Sequence, residues 1–185
     1  LATANMEQLV AIGKPLGIAR WLDGADVLLN AQDGGAMSGD ALAESCGQFK
    51  YASAYQKIFY RCVLAERYAG AGHVEEVRQM LAATPATVRE SFCAPEVHRI
   101  EGELYMQLAK PAPDEAERHL RRAVELARQR AEKSLELRAA TSLARLLADR
   151  RRRVEAHDEL AAVYGWFAEG YDTADLKTAK ALLAE

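Results

Sequence analysis

The side chains that most often bind metals or transfer protons are scattered along this sequence. No HExxH motif is present, a pattern that places two zinc ligands and a general base on one helix face. His98 and Glu101 share a helix face at i, i+3, but a zinc site needs ligands that converge from different helices. Because the spacing gives no reason for convergence, we expect no metal and no cofactor. We interpret the histidines as polar residues of solvated helices: His73, His98, His119 and His157.

Nucleophilic and phosphoryl chemistry also lack a signature. No serine lies in a GxSxG setting, and neither a GxxxxGK[ST] phosphate loop nor a cyclase signature occurs. Nothing in the sequence indicates that carboxylate pairs such as Glu75 and Glu76 lie in a pocket, where burial would raise their pKa. The three cysteines are widely spaced without a CxxC pair, which favours buried thiols in a reducing cytosol. These cysteines are Cys46, Cys62 and Cys93. We therefore expect this segment not to be an enzyme.

The sharpest charge run is the four arginines Arg150–Arg153. Such a run can contact phosphate or an acidic partner. It can also form a solvated turn in which the arginines pair with Asp149, Glu155 and neighbouring acidic residues, and we favour this second interpretation. The segment 110–153 carries 13 Lys/Arg against 7 Asp/Glu, yet the whole chain has a net charge of −3. This balance excludes a dedicated nucleic-acid binder, although a basic flank suits an acidic partner.

Composition predicts an all-α fold. Half of the 185 residues are hydrophobic, and alanine, leucine, glutamate and arginine, which favour helices, are prominent. No apolar run is long enough to span a membrane, and no signal peptide opens the chain. We expect a cytoplasmic protein. The first residue is Leu1 rather than methionine, which suggests a piece of a longer protein.

Small residues recur at spacings typical of paired helices that pack closely. Ala65 and Val77 are 12 residues apart, and Ala144 and Ala156 have the same separation. A third pair, Gly102 and Ala116, is 14 residues apart, and the loop Lys110-Pro111-Ala112-Pro113 accommodates the two extra residues. Asp114 is expected to cap the helix that follows this loop. A turn glycine, Gly72, lies between Ala65 and Val77. The corresponding position between Ala144 and Ala156 is Arg151, which carries strain if its backbone is left-handed.

The pattern predicts one domain, residues 1–185, of repeated helical hairpins. Its approximate repeats are 6–50, 52–90, 94–130 and 134–170, followed by a capping helix over 173–185. Each two-helix unit leaves an apolar face that the next unit buries. We predict a right-handed α-solenoid of about four tetratricopeptide-like hairpins plus a C-terminal capping helix.

The segment SLELRAATSLARLLADRRRRVEAHDELAAVYGWFAEGYDTADLKTAKALLAE (134–185) resembles the end of a known repeat region. This tetratricopeptide-repeat region follows the predicted-ATPase module of large bacterial signalling proteins, which are adenylate/guanylate cyclase-like or transcriptional-regulator ATPases. The resemblance implies a helper region that binds a partner or effector and regulates the neighbouring module. Arg151 departs from the glycine usual in that family.

In such a solenoid the inner, concave surface is lined by the first helix of each hairpin. The small residues at 65, 102 and 144 predict which side chains point inward. Three of these residues, Arg99, Arg138 and Arg145, would form a basic track that captures an acidic peptide. Pairing of the arginines with Glu96 and Glu103 remains an equal alternative. The predicted groove residues are Phe59, Cys62, Glu66, Glu96, Arg99, Glu103, Met106, Arg138, Thr141 and Arg145.

The aromatic end of the chain is predicted to close the stack rather than bind a ligand. Helical spacing continued past Val163 places Trp166 and Phe167 toward the core, with Gly170 as the residue that ends the helix. Asp172 or Thr173 would cap the last helix.

Three functions remain open from the sequence. The first is recognition of a protein, peptide or effector by a non-catalytic module, whose basic flank suits an acidic partner. The second is sensing of a small ligand, which a deep apolar pocket would support. The third is a structural spacer or dimerisation element, which a large self-complementary apolar patch would support. The sequence does not separate them, and it leaves the oligomeric state open.

Overall fold

The structure is a computed structural model that describes residues 62, 65, 69, 72–83 and 85–185. All regular secondary structure among these residues is helical, so the predicted all-α class is confirmed for this part of the chain. Contacts divide the chain into two compact units, 1–88 and 89–185. The predicted repeat 6–50, most of repeat 52–90, and Cys46, Phe59 and Glu66 lie outside the described residues.

The first unit contributes a helix over Val74–Ala82 (α1), whose Val77 and Leu81 are buried. Gly72 precedes α1 with a positive φ of 95°, which suits the turn glycine predicted there. A single turn, α2, covers Ala86–Arg89 at the boundary between the units. The helices of the second unit are α3 (Ala94–Gln107), α4 (Pro113–Gln129), α5 (Lys133–Asp149), α6 (Arg153–Tyr164) and α7 (Ala174–Leu183).

Helix α5 is the centre of the second unit. It packs against α4 before it and α6 after it, and it also contacts α3 and α7. Small residues make this possible, because Ala139, Ala140 and Ala144 are buried on α5 and let neighbouring helices approach closely. Leu143 and Leu147 fill the space beside them as fully buried side chains. Within the described residues, no helix combines the length and apolarity needed to cross a bilayer.

The closest approach between α3 and α4 occurs at Gly102. A Cβ atom there would lie 2.6 Å from Leu120 Cγ and 3.1 Å from the carbonyl oxygen of Ala116. Real Cβ atoms essentially never approach another atom to 2.6 Å, and the second contact is also tight, so any larger residue at this position would force the two helices to shift. The small residues that the sequence placed at this crossing, Gly102 and Ala116, therefore do meet.

Two helix ends close with the same hydrogen-bonded turn. After α4, Glu132 N–H donates to Ala127 O at 2.9 Å and Ala131 N–H donates to Arg128 O at 3.1 Å. After α5, Arg152 and Arg151 make the corresponding bonds to Leu147 and Ala148, at 2.8 and 2.9 Å. This is the Schellman arrangement, which needs a left-handed residue just beyond the helix.

Neither left-handed position in these two turns is a glycine. Ala131 has φ 56° and Arg151 has φ 63°. The condition under which Arg151 carries strain is therefore met, because the Cβ of an L-residue crowds the backbone in this region. The hydrogen bonds of each turn hold the residue in place despite this strain.

The aromatic end differs from the prediction. Helix α6 ends at Tyr164 with Gly165 as its C-cap, so the prediction that it continues to Gly170 is wrong. Trp166 is 61% exposed and does not face the core, whereas Phe167 packs partly buried against it. The reason is a tight turn, because Trp166 N–H bonds to Val163 O at 3.1 Å and ends the helical period.

The exposed indole is held by its neighbours instead. Its ring meets Phe167 edge-on, with ring centroids 5.2 Å apart at 86°. Lys133 Nζ, at the start of α5, lies 5.8 Å from the centroid of Trp166, within the range of a cation–π contact. The aromatic segment therefore contacts the beginning of α5, while most of the indole remains exposed to solvent.

Helix α7 forms close to the predicted bounds, and its apolar face packs on the core. Leu176 and Ala179 are buried, and Leu182 and Leu183 are partly buried against it. The predicted side-chain caps are wrong. Thr173 is the N-cap residue, but its hydroxyl donates to Gly170 O at 2.8 Å and caps no helix N–H. Asp114 lies inside the first turn of α4 rather than at its cap.

We predict that glycine at either left-handed position stabilises the protein. Arg151→Gly and Ala131→Gly each remove Cβ crowding and are expected to raise the free energy of unfolding by about 0.5–1 kcal/mol, the difference between that strain and the extra flexibility of unfolded glycine. Urea denaturation measures this change. The matched control is Ala162→Gly on the exposed side of α6, which is expected to lower stability by about the same amount. A loss of stability in both turn variants would contradict the assignment of strain.

Candidate functional site

The wall shared by α3 and α5 carries a polar network, which we call the α3–α5 network. Arg99 lies between two carboxylates of its own helix: its Nε and Nη2 donate to Glu96 at 3.0 and 2.9 Å, and its Nη1 donates to Glu103 Oε1 at 2.7 Å. From α5, Arg138 Nη1 lies 2.7 Å from Glu96 Oε1. Ser142 Oγ donates to Glu103 Oε1 at 2.5 Å. Both carboxylates of α3 thus bond to α5.

The central pair of this network, Arg99 and Glu96, is buried and therefore stabilises the fold rather than facing a partner. Arg99 is 4% exposed and Glu96 is 8% exposed. A buried charge is tolerated when it is paired and hydrogen-bonded, and Arg99 meets this condition through a two-pronged contact with Glu96. The charges of the two glutamates and two arginines cancel. Arg99 is therefore engaged by its own helix, which is the arrangement that the sequence left open as the alternative to a basic track.

The other predicted groove residues differ in their access to solvent. Thr141 is buried, and its hydroxyl bonds to Leu137 O at 2.8 Å, so it serves its own helix. Met106 is partly buried against the core. Arg145 is exposed, and no ion pair among the described residues includes it. Arg138 and Arg145 on α5 are therefore the arginines of this wall that retain exposed surface, Arg138 with 30% of its side chain. Cys62 belongs to the first unit and is buried, as is Cys93 in the second.

A second set of charges, the α4–α6 network, joins α4 to the turn before α6. Glu117 on α4 accepts hydrogen bonds from Arg152 at 2.7 Å and Arg121 at 2.9 Å. Glu155 on α6 accepts from the same two arginines, at 2.6 Å from Arg121 and 2.8 Å from Arg152. Arg150 adds contacts to Glu117 at 2.9 Å and to Asp114 at 2.8 Å.

The contacts of this network show how the four-arginine run Arg150–Arg153 is paired. Arg150 and Arg152 pair with glutamates of α4 and α6, as the solvated-turn interpretation predicted for Glu155. The predicted pairing with Asp149 is not the one that forms, because Arg150 reaches back to Asp114 across the hairpin. Arg151 and Arg153 are exposed. The run therefore ties α6 to α4 through alternate arginines.

Ion pairs lower the pKa of three glutamates in this part of the chain, Glu117, Glu136 and Glu155. Hydrogen bonds from Arg121 and Arg152 lower the pKa of Glu155. Partial burial acts to raise the pKa of Glu117, but the hydrogen bonds from Arg152 and Arg121 outweigh it, and the net pKa is lowered. The same balance lowers the pKa of Glu136 on α5, where Lys133 and Arg128 donate at 2.6 and 2.9 Å.

A pocket of about 350 Å³ opens between α5, α6 and α7. Its wall is apolar and its rim is charged. The apolar lining comprises Ala144, Ala148, Val154, Ala156, Leu160, Leu182 and Leu183. The charged and polar rim comprises Arg153, His157, Asp158 and Glu185.

One group of residues was missed by the sequence interpretation. His119 on α4 lies beside His98 and Glu101 of α3, so ligand-type atoms of three side chains come together. The i, i+3 spacing of His98 and Glu101 was visible in the sequence. The partner from α4 was not, since its position depends on how the two helices cross. The signal that could have pointed to this face is adjacency: His119 immediately precedes Leu120, which packs on Gly102, and Glu101 immediately precedes Gly102.

Comparison with known proteins yields no assignment: no family model, no curated protein and no solved structure matches the chain.

We predict that acid weakens the fold through the lowered carboxylate pKa values. Glu117, Glu136 and Glu155 hold their charge more strongly when folded than at their ordinary pKa of 4.5. Their contribution is complete above about pH 4.5 and is lost as the pH falls through the folded pKa values. The free energy of unfolding, measured by urea denaturation from pH 7 to pH 3, should therefore decrease over the acidic part of this range.

The variant Glu117→Gln tests the assignment. It is expected to lower stability at pH 7 by about 1–2 kcal/mol, because Arg121 and Arg152 lose a charged acceptor, and to make the acid-dependent decrease shallower. Glu169→Gln, an exposed position outside both networks, is the control and should change stability by less than about 0.5 kcal/mol. An unaltered pH profile in Glu117→Gln would count against the α4–α6 network.

Proposed function

We propose that this chain is a non-catalytic recognition module of a larger bacterial signalling protein, in which helical hairpins present a side-chain surface to a protein, peptide or effector. The observation that carries the proposal is the repeated packing in the second unit. Helix α3 packs on α4 and on α5, and α5 in turn packs on α6 and on α7. The same set of contacts recurs one hairpin later, which supports the tetratricopeptide-like solenoid and its resemblance to the repeat region of ATPase-linked signalling proteins.

The surface that we assign to the partner is the α5 side of the shared wall. Since Glu96 and Glu103 neutralise Arg99, an acidic partner would meet Arg145 first and Arg138 at the edge of the α3–α5 network. Arg138 remains accessible because 30% of its side chain is exposed. A planar guanidinium suits a carboxylate, so the expected ligand is an acidic peptide segment rather than an apolar one.

A peptide titration tests this assignment. Fluorescence anisotropy with a labelled hexaglutamate peptide is expected to show saturable binding to the wild-type chain, and hexalysine is expected to show none. Arg145→Glu and the Arg138→Ala, Arg145→Ala double variant should weaken hexaglutamate binding by about tenfold or more, since each lost charge pair is worth about 1–3 kcal/mol.

The control for charge is Arg122→Ala, which removes an exposed arginine from α4 and should leave binding within about twofold. Arg145→Glu is the more easily interpreted of the two test variants, because Arg145 is exposed and its replacement leaves no cavity in the core. Equal affinity of the wild type and Arg145→Glu, or equal binding of both peptides, would remove the groove as an acid-recognising surface.

A second candidate function, sensing of a small apolar ligand, has an observation of its own. The pocket between α5, α6 and α7 has a volume of about 350 Å³ and joins an apolar wall to a charged rim. These features are typical of sites that bind small molecules. Val154, which lines this pocket, is 78% exposed and would lose contact with water when the pocket is occupied.

The dye anilinonaphthalene sulfonate, an apolar anion, probes this pocket. We expect a saturable rise in its fluorescence with the wild-type chain, and loss of that signal in Ala148→Leu, because the larger side chain fills the space beside Leu160. Ala162→Leu makes the same chemical change on the exposed side of α6 and should leave the signal intact. Equal dye binding by all three proteins would exclude the pocket as the site.

A further inference from the structure

The most informative side-chain cluster outside the surfaces described above lies between α3 and α4. We propose that His98, Glu101 and His119 form a binding site for a divalent transition-metal ion, with zinc as the preferred ion. His98 and Glu101 stand at i, i+3 on α3, and His119 reaches them from α4. The inference is independent of the proposed recognition function, because it concerns other residues and another face of α3.

The distances among the three ligand atoms carry the proposal. His98 Nδ1 and His119 Nδ1 are 3.2 Å apart, and Glu101 Oε2 lies 3.5 Å from the first and 3.1 Å from the second. A tetrahedral zinc ion with bonds of about 2.0–2.1 Å separates its ligand atoms by about 3.3 Å. The three atoms therefore already form one face of a tetrahedron of the size that zinc requires, and water or another ligand would complete it.

The helix crossing explains why this triangle is fixed. Glu101 is followed by Gly102 and His119 is followed by Leu120, and these two neighbours form the closest contact between α3 and α4. A Cβ at Gly102 would lie 2.6 Å from Leu120 Cγ, so the helices cannot be pushed apart or rotated here without losing that contact. The ligand-bearing residues are thus held at the tightest point of the hairpin.

The surroundings also suit a metal site. The three side chains are only 12–17% exposed, which limits competition from bulk water while leaving an entry path. The rings of His98 and Tyr105 each lie with their centroids 5.3 Å from that of His119, and so restrict its orientation. Ligand groups that are oriented before binding lose less freedom when the ion arrives.

The ligand types select the class of ion. Two imidazole nitrogens and one carboxylate suit zinc, cobalt or nickel, whereas calcium and magnesium prefer sets made only of oxygen atoms. The competing arrangement is a hydrogen-bonded triad without metal. Two Nδ1 atoms at 3.2 Å satisfy each other only if one of them carries a proton. Metal titration separates these two arrangements, because a triad that is satisfied by protons gives no saturable binding of one ion per chain.

The test uses the full chain, stripped of metal with a chelator, and inorganic zinc or cobalt chloride as the probe. Isothermal titration is expected to show one zinc ion per chain, and the cobalt derivative should have the intense visible absorption of tetrahedral coordination without a thiolate charge-transfer band. Zinc should also raise the melting temperature, since it joins α3 to α4 only in the folded chain.

Three variants locate the site. His119→Gln and His98→Gln remove one ligand each from different helices and should weaken zinc binding by more than about tenfold, as even indirect support of a zinc ligand is worth that much. Glu101→Gln should weaken it less, because an amide oxygen can still coordinate. The control is His157→Gln, whose imidazole is 60% exposed on α6 and stands beside Asp158. It should bind zinc like the wild type.

Several outcomes would overturn the proposal. They are the absence of saturable binding at one ion per chain, unchanged affinity in His119→Gln, or a thiolate band that assigns the ion to cysteine. Circular dichroism of each variant shows whether a lost signal reflects an altered fold. If His119→Gln does not fold, the wild-type cobalt spectrum and the zinc-dependent melting temperature still decide the question.

Discussion

The contact between Gly102 and Leu120 is the constraint on which the rest of the second unit depends. It brings α3 and α4 to a distance that no side chain larger than glycine's hydrogen allows. This distance sets the position of α4 relative to the wall formed by α3 and α5, and α5 continues the same principle through its buried alanines. Small residues thus determine where each helix lies, and large leucines fill the space that remains.

Charges then fix how the helices are oriented once they are close. The α3–α5 network places Glu96 and Glu103 against groups of α5, and the α4–α6 network connects the ends of two hairpins through Glu117 and Glu155. A buried ion pair contributes little net stability compared with apolar packing, but a broken one is strongly unfavourable. This argument applies to Glu96, which is buried and pairs across the helices with Arg138, so a shift of α5 that separates the two is unfavourable. In the α4–α6 network, hydrogen bonds from Arg121 and Arg152 lower the pKa values of Glu117 and Glu155.

The face of α3 that carries Arg99 and the face that carries His98 serve different purposes. The charge of Arg99 on the first face is neutralised within the fold, and for this reason our proposal places the surface for an acidic partner at Arg138 and Arg145 of α5. The second gathers nitrogen and oxygen ligands at the crossing with α4. Residues about half a turn apart point to opposite sides of a helix, so α3 directs Glu96 toward α5 and directs His98 and Glu101 toward α4.

The sequence by itself determined the elements. Alanine, leucine and glutamate content with apolar periodicity predicted helices, and the prolines and the small residues at 102, 116, 144 and 156 predicted where α3 to α6 begin and pack. Local chemistry was less reliable at the ends. The helical spacing was continued past Gly165, which wrongly placed Trp166 in the core. Hydrophobic periodicity does not reveal the tight turn in which Trp166 N–H bonds to Val163 O.

Only the tertiary structure decided which side chains meet. Whether Arg138 of α5 reaches Glu96 of α3, and whether Arg150 reaches Asp149 or Asp114, depends on distances between helices that are separate in the sequence. The meeting of His119 with His98 and Glu101 depends on the angle and separation of α3 and α4. Residue types and spacing fix the face that each side chain occupies on its own helix. The packing of one helix on another determines which residue of the neighbouring helix each side chain meets. The two come within hydrogen-bond distance only once the helices have packed together.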